Sequence, residues 1–163
     1  MFADTAPTAS VFSVGSNVKV NGNGNTYVAY LFAHDDQSFG DDGDEAIIKC
    51  GSYTGTGADG NKITLGFEPQ WLLIKGIDNA VDWQILDSTR GMFPDESPFL
   101  RANLNNAEFS NDARAVTLQP DGFIIGSNNT DTNGLNGDDF IFIAIRRPHK
   151  TPEDAADVFQ PDL

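Results

Sequence analysis

The sequence predicts an all-β protein: an antiparallel β-sandwich of jelly-roll or concanavalin-like type, with a partial β unit at its N-terminal end. Three observations carry that expectation. Apolar residues come in short runs of β-branched and aromatic type, some alternating with polar residues and some continuous, as pleated strands require. Clusters of Gly, Asn and Asp punctuate the runs, and helical periodicity is nearly absent.

In chain order, strands are expected at 10–14 (Val11, Phe12, Val14) and at 26–33, the aromatic run Tyr27-Val28-Ala29-Tyr30-Leu31-Phe32. Between them Asn21-Gly22-Asn23-Gly24-Asn25 is a turn sequence whose Gly and Asn tolerate positive φ. A strand over 46–53 opens on Ala46-Ile47-Ile48, and the turn Gly55-Thr56-Gly57-Ala58-Asp59-Gly60 hands it to a strand over 61–65. Residues 70–77 hold the continuous run Trp71-Leu72-Leu73-Ile74, and 82–87 alternate. The last strands are expected at 113–118, 122–126 and 139–146, the final pair flanking Asn133-Gly134-Leu135-Asn136-Gly137. Only 102–108 and the stretch after Pro152 have a helical look, and both are short. Many short strands at this spacing argue for a sandwich.

An internal repeat sets the organisation. Val11-Phe12-Ser13-Val14-Gly15-Ser16-Asn17, an Asn-Gly turn and Tyr27-Val28-Ala29-Tyr30-Leu31-Phe32 recur as Gly122-Phe123-Ile124-Ile125-Gly126-Ser127-Asn128, another Asn-Gly turn and Phe140-Ile141-Phe142-Ile143-Ala144-Ile145. The chain therefore reads as residues 1–34, the closing hairpin of an upstream repeat; 35–45, an acidic linker; 46–147, a complete sandwich; and 148–163, an extended tail in which Phe159 is a candidate anchor. A hairpin alone cannot bury enough apolar area to offset its ordering entropy, so the first unit is expected to pack on something.

Composition narrows the function. At 163 residues the chain holds one domain, or one and a fragment, and is long enough to bury a core. Ten Lys and Arg against 24 Asp and Glu give a formal charge of −14, which repels phosphate backbones and anionic membranes, so neither nucleic acid nor membrane is an expected partner. That charge suits solubility, attraction of divalent cations, or docking onto a basic protein surface. The single cysteine, Cys50, rules out an internal disulfide and, inside the run Ala46-Ile47-Ile48-Lys49-Cys50, reads as core. Met1-Phe2-Ala3-Asp4-Thr5 lacks the basic and apolar regions of a signal peptide, so synthesis in a cytoplasm is expected, with lysis as a route out of the cell.

Several motifs carry a resemblance. Thr5-Ala6-Pro7-Thr8-Ala9-Ser10-Val11-Phe12 and Asn25 to Asp35 resemble the junction between a laminin-G-like domain and a following domain in tail-fibre and other virion proteins of marine and cyanobacterial phages. The segments from Cys50 to Gly57, Leu65-Gly66-Phe67-Glu68-Pro69-Gln70-Trp71-Leu72-Leu73-Ile74-Lys75, Asp82-Trp83, Asp87-Ser88-Thr89-Arg90-Gly91-Met92 and Phe142 to Arg147 are similar to that following domain, itself of unknown function. The resemblance implies a virion structural protein, with other virion proteins and further copies of itself (a homo-oligomer, trimers being common in fibres) as partners and a host-surface glycan as the usual target. It brings no catalytic residues. On this resemblance, residues 1–34 are expected to correspond to the last strands of the lectin-like domain.

Candidate sites are few. Asp41, Asp42, Asp44 and Glu45 share one Gly-containing loop, which suits a hard cation such as Ca2+, but their spacing misses the EF-hand register and a solvated linker is the plainer reading. Asn128-Asn129-Thr130-Asp131 is a weaker cation candidate, read as a turn. Trp83, flanked by Asp82 and Gln84, is the better aromatic for sugar stacking, whereas Trp71 opens an apolar run and reads as core. Arg90 and Arg101 are expected to pair with local carboxylates. His34 and His149 lie in no nucleophile motif, and no Ser elbow, zinc helix or phosphate loop is present, so no enzyme is expected. The order of readings is virion assembly or adhesion, then a free-standing glycan-binding domain, then a polysaccharide depolymerase.

Overall fold

The computed structural model describes residues 5–8, 10–32, 34, 46–110, 115–126 and 129–146. The acidic linker, with Asp41, Asp42, Asp44 and Glu45, and the tail over 148–163 lie outside them. The chain forms two compact units, Met1–Phe32 and Ala33–Leu163.

In the first unit Asn17 caps a single helical turn, α1 (Val18–Asn21), its side-chain oxygen accepting from Lys19 N at 2.9 Å. Tyr27 Oη closes the turn, accepting from Gly22 N at 2.7 Å and donating to Val18 O at 2.8 Å. The hairpin expected over 10–14 and 26–33 forms no ladder among the described residues, where Val14 is the single bridging position. The physical reason is cover: Val28, Tyr30 and Leu31 are 81 %, 83 % and 75 % exposed, so pairing would order the chain without burying apolar surface.

The second unit is the sandwich. Its strands are β1 (Ile48–Thr54), β2 (Asn61–Thr64), β3 (Trp71–Gly76), β4 (Gln84–Asp87), β5 (Leu100–Arg101), β6 (Val116–Gln119), β7 (Gly122–Ile125) and β8 (Asp139–Ile145). They form a five-stranded sheet, β1-β8-β3-β4-β5, and a three-stranded sheet, β2-β7-β6, with every pairing antiparallel. No helix forms over 102–108, where Arg101 to Leu104 turn instead and Phe109 bridges back to Phe99.

Strict alternation places the core. Leu72, Ile74, Leu86, Phe140, Phe142 and Ala144 of the larger sheet meet Ile63, Val116, Phe123 and Ile125 of the smaller one, all buried in one cluster. The sheets lock through aromatic edges: Phe123 stands T-shaped against Phe142 at 6.0 Å and against Tyr53 at 6.4 Å, while Tyr53 stacks on Phe140 at 5.1 Å. Within the smaller sheet, β2 and β7 leave so little room that a Cβ on Gly122 would lie 2.0 Å from Ile63 O on the paired strand β2.

The same alternation corrects two expectations. Cys50 is not core: Gly51 and Tyr53 take the inward positions of β1, and Cys50 lies part-exposed on the outer face. Burial against its neighbours pushes the thiol pKa up, away from reactivity. Trp71 is not core either, because Leu72 and Ile74 point inward and put Trp71 and Leu73 on the outer face.

Candidate functional site

The densest buried polar cluster among the described residues lies where β4 and β5 meet the loop leading into β8. Register brings Gln84 opposite Arg101. Phe99 and Phe109 stack at 5.8 Å, and the Arg101 guanidinium lies over both rings, 5.7 Å and 5.2 Å from their centroids. That flat arrangement suits a guanidinium and not an ammonium. Arg101 then faces two carboxylates, with Nε 3.3 Å from Asp82 Oδ2 and Nη2 3.6 Å from Asp131 Oδ2.

Surrounding groups fix each partner. Asn103 Nδ2 donates to Asp82 Oδ1 at 2.9 Å, and Asn103 Oδ1 accepts from Trp83 N at 3.0 Å, so one amide sets both the carboxylate and the backbone beside it. Gln84 Nε2 donates to Asp82 O at 3.3 Å and to Asp131 Oδ2 at 3.4 Å. Asp131 N donates to Asn129 Oδ1 at 2.8 Å, the turn expected for this stretch. Two buried acceptors are left over, Gln84 Oε1 and Thr132 Oγ1.

Next to this cluster Asn133 pins two loops together. Fully buried, it accepts at Oδ1 from Thr56 N (3.1 Å) and Asn61 Nδ2 (2.9 Å) and donates from Nδ2 to Ala58 O (2.6 Å). The Tyr53 hydroxyl donates to Thr132 O in the same loop, and burial raises the phenol pKa well above its ordinary value.

Both candidate arginines thus serve carboxylates. Arg90 holds Asp87 and lies 3.5 Å from Glu108. Arg101 pairs with Asp82 and, across the chain, with Asp131, a partner that sequence reasoning missed because a loop far along the chain supplies it. Trp83 lies part-exposed just before β4, beside Asp82 and Asn103. His34 Nδ1 accepts from Cys50 N at 3.0 Å, on the open edge of β1. His149 lies outside the described residues. No group of three or more His, Cys, Asp or Glu is placed to hold a metal among the described residues, and no helix there is long and apolar enough to cross a membrane. Chemically the Asp82-Arg101-Asp131 triad is a clamp: it ties the loop before β8 to the β4–β5 edge and orients the backbone at Trp83.

No curated protein and no solved structure matches the chain. A family model does, described as a domain of unknown function (DUF7483), over residues 1–148. That match runs through both compact units and stops where the tail was expected to begin, so the chain belongs to the DUF7483 family of domains of unknown function.

Proposed function

We propose that this chain is a structural module of a bacteriophage virion, tail-fibre or capsid-associated, that serves assembly or host-surface adhesion. The observation that carries the reading is the apolar surface of the first unit. Phe12, Val14, Tyr27 and Val28 line an open pocket of about 460 Å3 together with Val20 and the Lys19 side chain. Tyr30 and Leu31 stand outside it, both more than two-thirds exposed. An exposed apolar patch of this kind marks a contact surface. The repeat supports the reading too, because the residues that match Phe12, Tyr27 and Leu31 are interior in the second unit: Phe123, Phe140 and Ala144 are fully buried. The motifs that resemble those of phage tail-fibre proteins suggest the setting.

Peptide identification on purified virions, with copy number from native mass measurement, tests this reading. The chain is expected in particles at a fixed stoichiometry; its absence from particles, with the free protein a lone monomer, refutes the reading. A free-standing glycan-binding domain is the second reading, favoured by the part-exposed Trp83 and Trp71. Binding on a glycan array that is lost in Trp83→Ala would select it. A depolymerase is the least supported, since Asp82 and Asp131, the paired acids of the cluster, both face Arg101.

A further inference from the structure

The five-stranded sheet is apolar on the face turned away from the core, where an antiparallel sheet ordinarily alternates to polar. Register defines that face row by row. Cys50 pairs with Ile143, Ile143 with Leu73, Leu73 with Ile85 and Ile85 with Leu100, so one uncharged row crosses all five strands. On one side of it lies the row Ile48, Ile145, Trp71 and Asp87; on the other lie Ser52, Ile141 and Lys75. The first flanking row carries one carboxylate and the second one ammonium.

The geometry points to this face as a two-fold interface with a second copy of the chain, its axis running along the central row. Three observations select a second copy. First, the pattern is self-complementary. Rotation about the central row sets Leu73 on Leu73 and Ile143 on Ile143, and it brings Lys75 of each copy against the Trp71–Asp87 pair of the other, which offers a ring face and a negative cluster. That cluster keeps a net negative charge, because Arg90 is shared between Asp87 and Glu108. Second, a chain of formal charge −14 repels its own copies, and among the described residues of the five strands this face carries two carboxylates, Asp87 and Asp139, both outside the central row. A charge-depleted centre with aromatic and aliphatic residues is the composition of an interface core. Third, the area is close to what a specific dimer needs. The outward residues are four on β1, four on β8, three on β3, two on β4 and one on β5. At about 4.8 Å between strands and about 6.8 Å along them they give a footprint on the order of 450 Å2 per copy, so two such faces come to ~900 Å2 before marginal side chains are added, against the ~1,000 Å2 of a specific interface. The inference stands apart from the virion assignment, since a dimer through this face is a property of the chain in any setting.

Sedimentation equilibrium of the full chain tests it. The wild type is expected as a dimer, and Leu73→Glu, at the centre of the outer face, is expected to weaken association at least about tenfold, ~1.4 kcal/mol, with an unchanged far-UV spectrum. Should Leu73→Glu lose its fold, Lys75→Glu decides, because it sets a carboxylate against the partner's Asp87 and leaves the core untouched. Because Cys50 lies on the axis row, a short bismaleimide is expected to capture a covalent dimer in the wild type and none in Cys50→Ser. A wild type that stays monomeric at roughly 0.1 mM, or an assembly whose strength neither Leu73→Glu nor Lys75→Glu changes, overturns the inference. So does a trimer without a Cys50 cross-link, and each of these results leaves the test by particle proteomics unaffected.

Discussion

Replacing Asn133 by Ala removes a fully buried side chain that joins the loop over 55–61 to the loop before β8. The cost follows from its partners. Thr56 N and Asn61 Nδ2 lose their acceptor and Ala58 O loses its donor, at a site where Asn133 is fully buried. A buried polar group left unpaired costs about 1–3 kcal/mol. Asn61 keeps a second bond to Thr54 O, which reduces its share. Water admitted to the vacated space offsets some of the remainder, so we expect a loss of about 3 kcal/mol, or roughly 12–24 °C in Tm for a sandwich of about 100 residues. Asn133→Asp sharpens the test because it is isosteric. It keeps the acceptor for Thr56 N and Asn61 Nδ2 but turns a carboxylate oxygen toward Ala58 O, so it should cost as much as the Ala variant despite leaving no cavity. Urea titration with far-UV detection measures both. A loss below about 1 kcal/mol in Asn133→Ala, or an Asp variant as stable as wild type, would show that the amide does not carry the junction.

Tyr53 should make stability fall at high pH. Its folded-state pKa is raised, so the folded protein keeps a proton that the unfolded chain gives up; the contribution is complete below about pH 10 and declines by ~1.4 kcal/mol per unit above it. Tyr53→Phe should remove that slope and cost about 1 kcal/mol at neutral pH through the lost bond to Thr132 O, with urea melts between pH 7 and 11 as the check. Gly122→Ala drives a Cβ into Ile63 O, a backbone atom that cannot rotate away, so thermal melting should show a loss of about 1–3 kcal/mol. Arg101→Met takes the guanidinium from Asp82 and Asp131 and should cost about 2–4 kcal/mol, while Arg101→Lys recovers only part because an ammonium does not spread over the Phe99 and Phe109 rings as the guanidinium does. Equal stability of the Met and Lys variants would refute the charge argument.

Strand positions were legible to within a residue or two where alternation and turn residues agree. The expected strand over 122–126 is β7 (Gly122–Ile125), and that over 61–65 is β2 (Asn61–Thr64). The inward face was legible only where polar and apolar residues alternate. Trp71-Leu72-Leu73-Ile74 is apolar throughout, so its period carries no sign, and pairing with Leu86 and Ala144 decides that Leu72 faces inward and Trp71 out. Cys50 was misread for a related reason: the inward place belongs to Gly51, where a Cβ would lie 2.6 Å from the Phe142 ring, and packing as tight as that leaves no trace in composition. The clamp at Arg101 was legible only as an arginine that meets carboxylates, not in its partners. Neither is local in sequence: Asp82 comes from the segment before β4, brought beside Arg101 by the β4–β5 pairing, and Asp131 from the loop before β8, which inserts between β1 and β3.

The repeat shows how little strand propensity decides by itself. Tyr27 to Phe32 and Phe140 to Ile145 are equally rich in aromatic and β-branched residues. The second copy is β8, with a ladder to β1 on one side and to β3 on the other, and its inward residues are buried. The first forms no ladder among the described residues, and its side chains face solvent. What separates them is the presence of two flanking strands and a facing sheet, as expected if β propensity measures fit to a half-buried pleated surface and not a backbone preference. The ordering entropy of a strand is offset only when cross-strand pairs and an opposing layer bury its side chains together. The same reasoning gives the outer face of the larger sheet its significance. Its residues already sit in a rigid pleat, so covering them costs little further ordering, whereas covering residues 27–32 requires the partner to organise them as well. Of these two apolar surfaces, the preformed one therefore gains more binding free energy per unit of area buried.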